Sequence, residues 1–120
     1  MPSADTKPIV TVFRSRLRPD AEQQGYGEAA ARMEARARRM PGFMDFKTFA
    51  AADGERVSVI IFDSVEHQGA WRNDPEHRAV QLRGRDDFYE EFSISVCEEI
   101  SRRTFRSTSV FPESGAEPAT

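Results

Sequence analysis

Between positions 57 and 62 every residue but Ser58 is apolar: Val57, Val59, Ile60, Ile61 and Phe62. A strand with one wet face alternates apolar and polar side chains, so a run without alternation reads as a strand covered on both faces. The run is short for a buried helix. Just upstream, Asp53-Gly54 is a strong hairpin signal, because these residues tolerate the backbone of a tight turn. The chain therefore holds a strand pair whose second member needs a layer on each side, and the rest of the sequence must supply those layers.

Residues 8–17 form the first strand, built on Ile9, Val10, Val12, Phe13 and Leu17, with a more polar far end at Arg14, Ser15 and Arg16. Pro19-Asp20 stops it, and Asp20 and Gln23 stand at capping-box spacing for a helix. Tyr26, Ala29, Ala30, Met33, Ala37 and Met40 then recur at helical spacing. Glu28–Arg32 and Glu34–Arg38 are four apart on its outer faces. The basic cluster Arg32, Arg36, Arg38 and Arg39 reads as a solvated face with favourable charge at a helix C-terminus. Met40-Pro41-Gly42 ends the helix. Residues 43–52 make the second strand, with Phe43, Met44, Phe46 and Phe49, and residues 57–63 the third. A second helical unit spans residues 64–85. Residues 92–105 make the fourth strand, with Phe92, Ile94, Val96 and Ile100 on one side and Ser93, Ser95 and Cys97 on the other. Residues 1–7 read as a flexible N-terminus and 106–120 as a C-terminal tail, in which Val110-Phe111 offers an apolar spot for docking.

The order is β-α-β-β-α-β, the split βαβ arrangement: an α+β fold with a four-stranded antiparallel sheet and both helices on one face. The other face has no third helix to cover it. The physical solution is the sheet of a second copy, packed face to face in a homodimer. A single domain of 120 residues has a small core, and association adds to it.

Residues 63–77 carry the only Trp and both His residues of the chain. Ser64 is a good N-cap, and His67 and Trp71 share the face of the helix it starts. Asp74 caps a second helix with Pro75 at its first position. His77 sits in that helix's first turn, so an indole and two imidazoles meet at one corner. Two readings stand. In one, Trp71 anchors the core and the His residues are surface caps. In the other, Trp71 is the stacking wall of a ligand pocket at its rim and His67 or His77 moves a proton near neutral pH.

The net charge of −3 argues against nucleic-acid or membrane-surface partners. A single cysteine, Cys97, allows no internal disulfide, fits a reducing, cytoplasmic setting and reads as a small buried side chain. No apolar run approaches the roughly 20 residues of a membrane span. There is no Gly-rich phosphate loop and no cysteine pair for zinc, and His67 and His77 lack a third ligand at a metal-site spacing, so no metal is expected.

Met40-Pro41-Gly42-Phe43, then Asp53-Gly54-Glu55-Arg56 turning into the apolar strand, then Ser64, Trp71-Arg72, Pro75-Glu76-His77 and Phe88-Tyr89 together resemble the antibiotic biosynthesis monooxygenase family, a branch of the dimeric α+β barrel superfamily. The resemblance covers residues 8–105. It implies a ferredoxin-like subunit and a barrel-forming homodimer. It also implies oxidation of a phenolic, anthrone or hydroquinone-type aromatic substrate by O₂, without flavin, haem or metal, in polyketide or quinone metabolism. Trp71 matches the family's pocket Trp by its place after the third strand, and His67 and His77 fall where polar pocket residues occur. On this reading His77 or His67 is the base, Arg72 or Arg85 stabilises the phenolate, and Tyr89 or Asn73 orients the substrate. A haem-degrading branch needs an axial His, a Trp and an Asn; the first strand offers no Asn, and His77 follows Trp71 more closely than that branch requires. The alternative from a different class is a non-catalytic dimer that binds a small molecule or is purely structural, since fold does not fix function.

Overall fold

A computed structural model describes residues 6–108. Its elements are β1 (Ile9–Leu17), α1 (Tyr26–Ala37), β2 (Phe43–Ala50), β3 (Arg56–Phe62), α2 (Val65–Arg72), α3 (Pro75–Arg83), a wide π turn (Gly84–Phe88) and β4 (Tyr89–Glu98). The four strands form one antiparallel sheet in the order β2-β3-β1-β4. This is the expected α+β, ferredoxin-like arrangement. The docking spot Val110-Phe111 lies outside the described residues.

Register sorts the side chains into two layers. On the helix side, Ile9 pairs with Phe62, Thr11 with Ile60 and Phe13 with Ser58 on β3, and Thr11 with Val96 and Phe13 with Ile94 on β4. On the far side lie Val10, Val12, Val57, Val59 and Ile61, in the same register. The apolar third strand is thus central and faces both ways, as its lack of alternation requires. The core proper is Met33 and Ala37 of α1, Ile60 and Phe62 of β3 and Trp71 of α2, with Met40, Phe43, Phe46 and Val80 packed around it. Phe62 and Ala37 are fully buried. Among the described residues no helix is long and apolar enough to cross a membrane.

Four local expectations are corrected. Residues 19–25 form turns rather than the first part of a helix: Ala21 N–H reaches the Arg18 carbonyl at 3.0 Å and Gly25 N–H the Glu22 carbonyl at 3.0 Å, so α1 starts only at Tyr26 and the Asp20–Gln23 capping box is not made. The second helical unit divides at Asn73-Asp74, as the Asp74 cap and Pro75 call for, but it ends in the π turn at Phe88 rather than at residue 85. The fourth strand stops at Glu98, because Ile9, its partner there, is the first residue of β1. Beyond it Ile100 and Phe105 are exposed, Phe105 by 90%. Cys97 is exposed rather than buried, since it lies on an edge strand and points away from the helices.

Candidate functional site

The corner between α2 and α3 is built by caps. The Ser64 hydroxyl accepts from the His67 N–H at 3.2 Å, and the Asp74 carboxylate accepts from the His77 N–H at 3.0 Å, with Pro75 opening α3. These are the caps that the sequence calls for. One partner comes from elsewhere. Arg36 of α1 donates two hydrogen bonds to Asp74, at 2.7 and 2.8 Å, in a bidentate pair. Asp74 is only 8% exposed, so this pair pins the end of α1 to the corner. Sequence reasoning placed Arg36 on a solvated face. The available hint was that Arg36 has no acidic residue three or four places away.

The Arg36 hydrogen bonds, working against burial and helped by the His77 N–H, hold the Asp74 carboxyl at about 2, down from 3.8. A carboxyl whose folded pKa is depressed adds stability above its unfolded pKa and loses it as pH falls toward the folded value. The advantage of wild type over Asp74→Asn is therefore expected to be complete near pH 5 and to shrink between about pH 4 and 2. Urea midpoints of the two proteins across that range check it; a constant gap would remove the pair from the account.

At this corner Trp71 and His77 stack with ring centroids 3.9 Å apart and planes 12° apart. The other side of the indole faces Phe62, at 6.4 Å and 28°. Trp71 is 6% exposed and belongs to the core. The expectation of a rim position with open space on one side is thereby corrected: both faces of the indole are occupied, because α3 folds back over it after Pro75.

His77 Nδ1 lies 3.0 Å from the Trp71 carbonyl oxygen. A carbonyl only accepts, so Nδ1 carries the hydrogen and Nε2 keeps a lone pair in the neutral ring. Burial pushes the His77 pKa below 6.5, against the smaller opposing effects of the Trp71 carbonyl and Asp74. The imidazole is therefore neutral near pH 7 and its free nitrogen is a base.

His67 does not join the pair. Its Nδ1 meets Asp63 Oδ1 at 2.6 Å, and this bond lowers the Asp63 pKa. Arg72 and Asn73 are exposed at the corner. Arg85 and Tyr89 stand at the other end of the sheet, where Tyr89 pairs with Leu17 while Phe62, under Trp71, pairs with Ile9. There Arg85, Tyr89 and Phe92 line an open cleft of about 510 Å³ together with Glu90 and Glu91. Burial, with a contribution from Tyr26, raises the Tyr89 pKa, so its phenol stays protonated. Ile94 and Val96, on the helix side of β4, remain 48% and 49% exposed, an apolar strip that the helices leave uncovered. The alternation of β4 announces that strip; nothing local announces that no helix covers it. Among the described residues no group of three or more His, Cys, Asp or Glu side chains could hold a metal ion.

Residues 8–83 match the family model for antibiotic biosynthesis monooxygenase. Over 82 residues the chain is 35% identical to the uncharacterised protein YqjZ of Bacillus subtilis (strain 168), an alignment that covers 68% of this chain and 72% of that one. The fold is similar to that of Rv0793 from Mycobacterium tuberculosis, with a TM-score of 0.70 and 19% identity over 81% of this chain and 99% of the other. It is also similar to that of SnoaB, a cofactor-independent oxygenase from Streptomyces nogalater, with a TM-score of 0.68 and 14% identity over 84% and 99% of the two chains. The two solved structures bear on fold alone, while the matched span of 76 residues and the identity to YqjZ bear on descent. The chain belongs to the antibiotic biosynthesis monooxygenase family.

Proposed function

We propose that this protein is a cofactor-independent oxygenase that oxidises a phenolic, anthrone-type or hydroquinone-type substrate with O₂, and that His77 is its base. The observation that carries the reading is the His77 imidazole itself: neutral, fixed in one tautomer by the Trp71 carbonyl and backed by the indole. Membership of the antibiotic biosynthesis monooxygenase family supports the reaction class. With both faces of Trp71 occupied, the substrate meets the edge of the His77 ring rather than the indole.

For an anthrone the chemistry balances without a cofactor. His77 Nε2 takes the proton of the enol form. The anion gives one electron to O₂, and the resulting radical and superoxide join in a C–O bond at the opposite ring carbon. The imidazolium returns its proton to the outer peroxide oxygen. Loss of water, with the remaining hydrogen of that carbon, breaks the O–O bond and leaves a carbonyl. One O₂ is consumed, one oxygen atom enters the product and one leaves as water. Exclusion of water protects the radical pair.

The functional unit on this reading is a homodimer. Val10, Val12, Val57 and Val59 form an apolar face of the sheet turned away from the helix side, and a second sheet would cover it. Sedimentation equilibrium at micromolar concentration is expected to give a dimer, and Val59→Glu to give a monomer; a wild-type monomer would contradict this.

A second reading, a dimer that binds a small aromatic molecule without turnover, is favoured by one observation, the sealing of Trp71. Oxygen uptake separates the two. With anthrone, the wild-type protein is expected to consume O₂ well above the buffer rate, and His77→Phe, which keeps a ring on the indole but no nitrogen, is expected to lose roughly 10²–10⁴-fold in rate. Uptake at the buffer rate by the wild type leaves the binding reading.

A further inference from the structure

The Arg36–Asp74 pair reaches His77 as well as joining α1 to the corner. Asp74 Oδ2 accepts from Arg36 Nε at 2.7 Å and from the His77 N–H at 3.0 Å, while Oδ1 accepts from Arg36 Nη2 at 2.8 Å. The backbone closes the same network. The Trp71 carbonyl that lies 3.0 Å from His77 Nδ1 also accepts from the Asp74 N–H, at 3.2 Å. Asp74 thus sets the first turn of α3, and with it where the imidazole lies against the indole.

An aspartate cap also brings a charge, which the Ser64 cap of α2 does not. The charged groups around His77 are few. From α2 it meets the uncharged ring and carbonyl of Trp71. At the start of its own helix stand Asp74 and Glu76, and from α1 comes Arg36, whose Nη1 lies 3.6 Å from Glu76. The Glu76 side chain is half exposed, so water screens it, whereas that of Asp74 is buried. An opposite charge a few ångströms away favours the charged form of a histidine, and Asp74 acts on His77 in that direction. A guanidinium forked onto the same carboxylate opposes this field, because the ring then faces a paired charge rather than a free one.

We propose that Arg36 is a positioning residue for the base: by forking onto Asp74 it fixes the first turn of α3 and neutralises the carboxylate that would otherwise draw a proton onto the His77 imidazole. Its part in turnover rests on the reading of His77 as the base of an oxygenase; its effect on the imidazole does not.

An NMR titration of the histidine ring signals of the full chain tests this without substrate or O₂, so its outcome is separate from that of the oxygenase reading. The chain has two His residues, and His67, paired with Asp63, is the internal reference. Arg36→Gln, which keeps an N–H donor but not the charge, is expected to raise the midpoint of His77 and leave that of His67 in place. Asp74→Asn is expected to lower the His77 midpoint, and the double variant to lose the rise seen with Arg36→Gln alone. That last comparison separates the carboxylate's charge from a mere loosening of the corner, which would raise the midpoint by exposing the ring whether or not Asp74 is charged. A His77 midpoint that stays or falls in Arg36→Gln, a rise that survives in the double variant, or an equal movement of His67 would overturn the proposal. Should Arg36→Gln fail to fold, Arg36→Lys, which keeps the charge but not the fork, is expected to raise the midpoint by a smaller amount, and no rise there would overturn it. If His77 is also the base in turnover, the inflection in kcat/KM for oxygen uptake moves up together with the titration midpoint.

Discussion

Truncating Trp71 to alanine is expected to cost the fold about 3–5 kcal/mol, the range for a large aromatic removed from a closed core. The indole touches the centre of the molecule, between Phe62 below and His77 above, and shares its cluster with Met33, Ala37 and Ile60. Its removal leaves a void sealed from water, and the His77 ring loses its platform. Trp71→Phe keeps most of the contact and is expected to cost much less. Guanidinium unfolding reads both, with the slope unchanged if only stability has moved. A cost under about 1 kcal/mol for Trp71→Ala would mean that the residue borders open space, as its polar neighbours Arg72, Asn73 and Asp74 led one to expect.

The second large effect is expected at Gly42, which joins the turn after α1 to β2 with φ of 80°. Alanine there carries about 1–2 kcal/mol for the left-handed backbone alone. A Cβ would also run into the His67 imidazole and the Asp63 carboxylate, which the Gly42 carbonyl already holds close by accepting from the Asp63 N–H at 2.9 Å. Displacing that pair adds roughly 1–3 kcal/mol. Gly54 is the control: its φ is 93°, but a Cβ there meets nothing within 4 Å. Gly54→Ala should show the backbone cost only. Equal costs at the two positions in thermal or denaturant unfolding would show that His67 and Asp63 move aside freely.

What was readable in the sequence was local. Asp53-Gly54, the caps Ser64 and Asp74, Pro75 and the unbroken run ending at Phe62 each act over a few residues, and each stands where it was expected. The ion pairs Glu28–Arg32 and Glu34–Arg38 belong to the same class. What was not readable depends on distant partners. The length of β4 is set by where β1 begins, at Ile9. The late start of α1 comes from turns over 19–25 that compete with helical hydrogen bonds. The role of Arg36 depends on Asp74, 38 positions away. For the site, the sequence brought Trp71 and His77 to one corner but left open whether that corner was wet. The direction in which α3 leaves Pro75 decides it, and no residue spacing encodes that direction. His67 turned to Asp63, four positions before it, and Arg85 and Tyr89 went to the far end of the sheet with Tyr26 and Arg56.

The most direct measurement of the central claim is the pH dependence of kcat/KM for oxygen uptake with anthrone. In the free enzyme that profile reports the ionisation of the essential base. Because burial depresses the His77 pKa below 6.5, the rate is expected to rise through an inflection below that value and to be flat from there through neutral pH. His77→Phe is expected to lose both the rate and the inflection while keeping the fold. A profile that follows only the ionisation of the substrate, unchanged between wild type and His77→Phe, would contradict the assignment of His77 as the base.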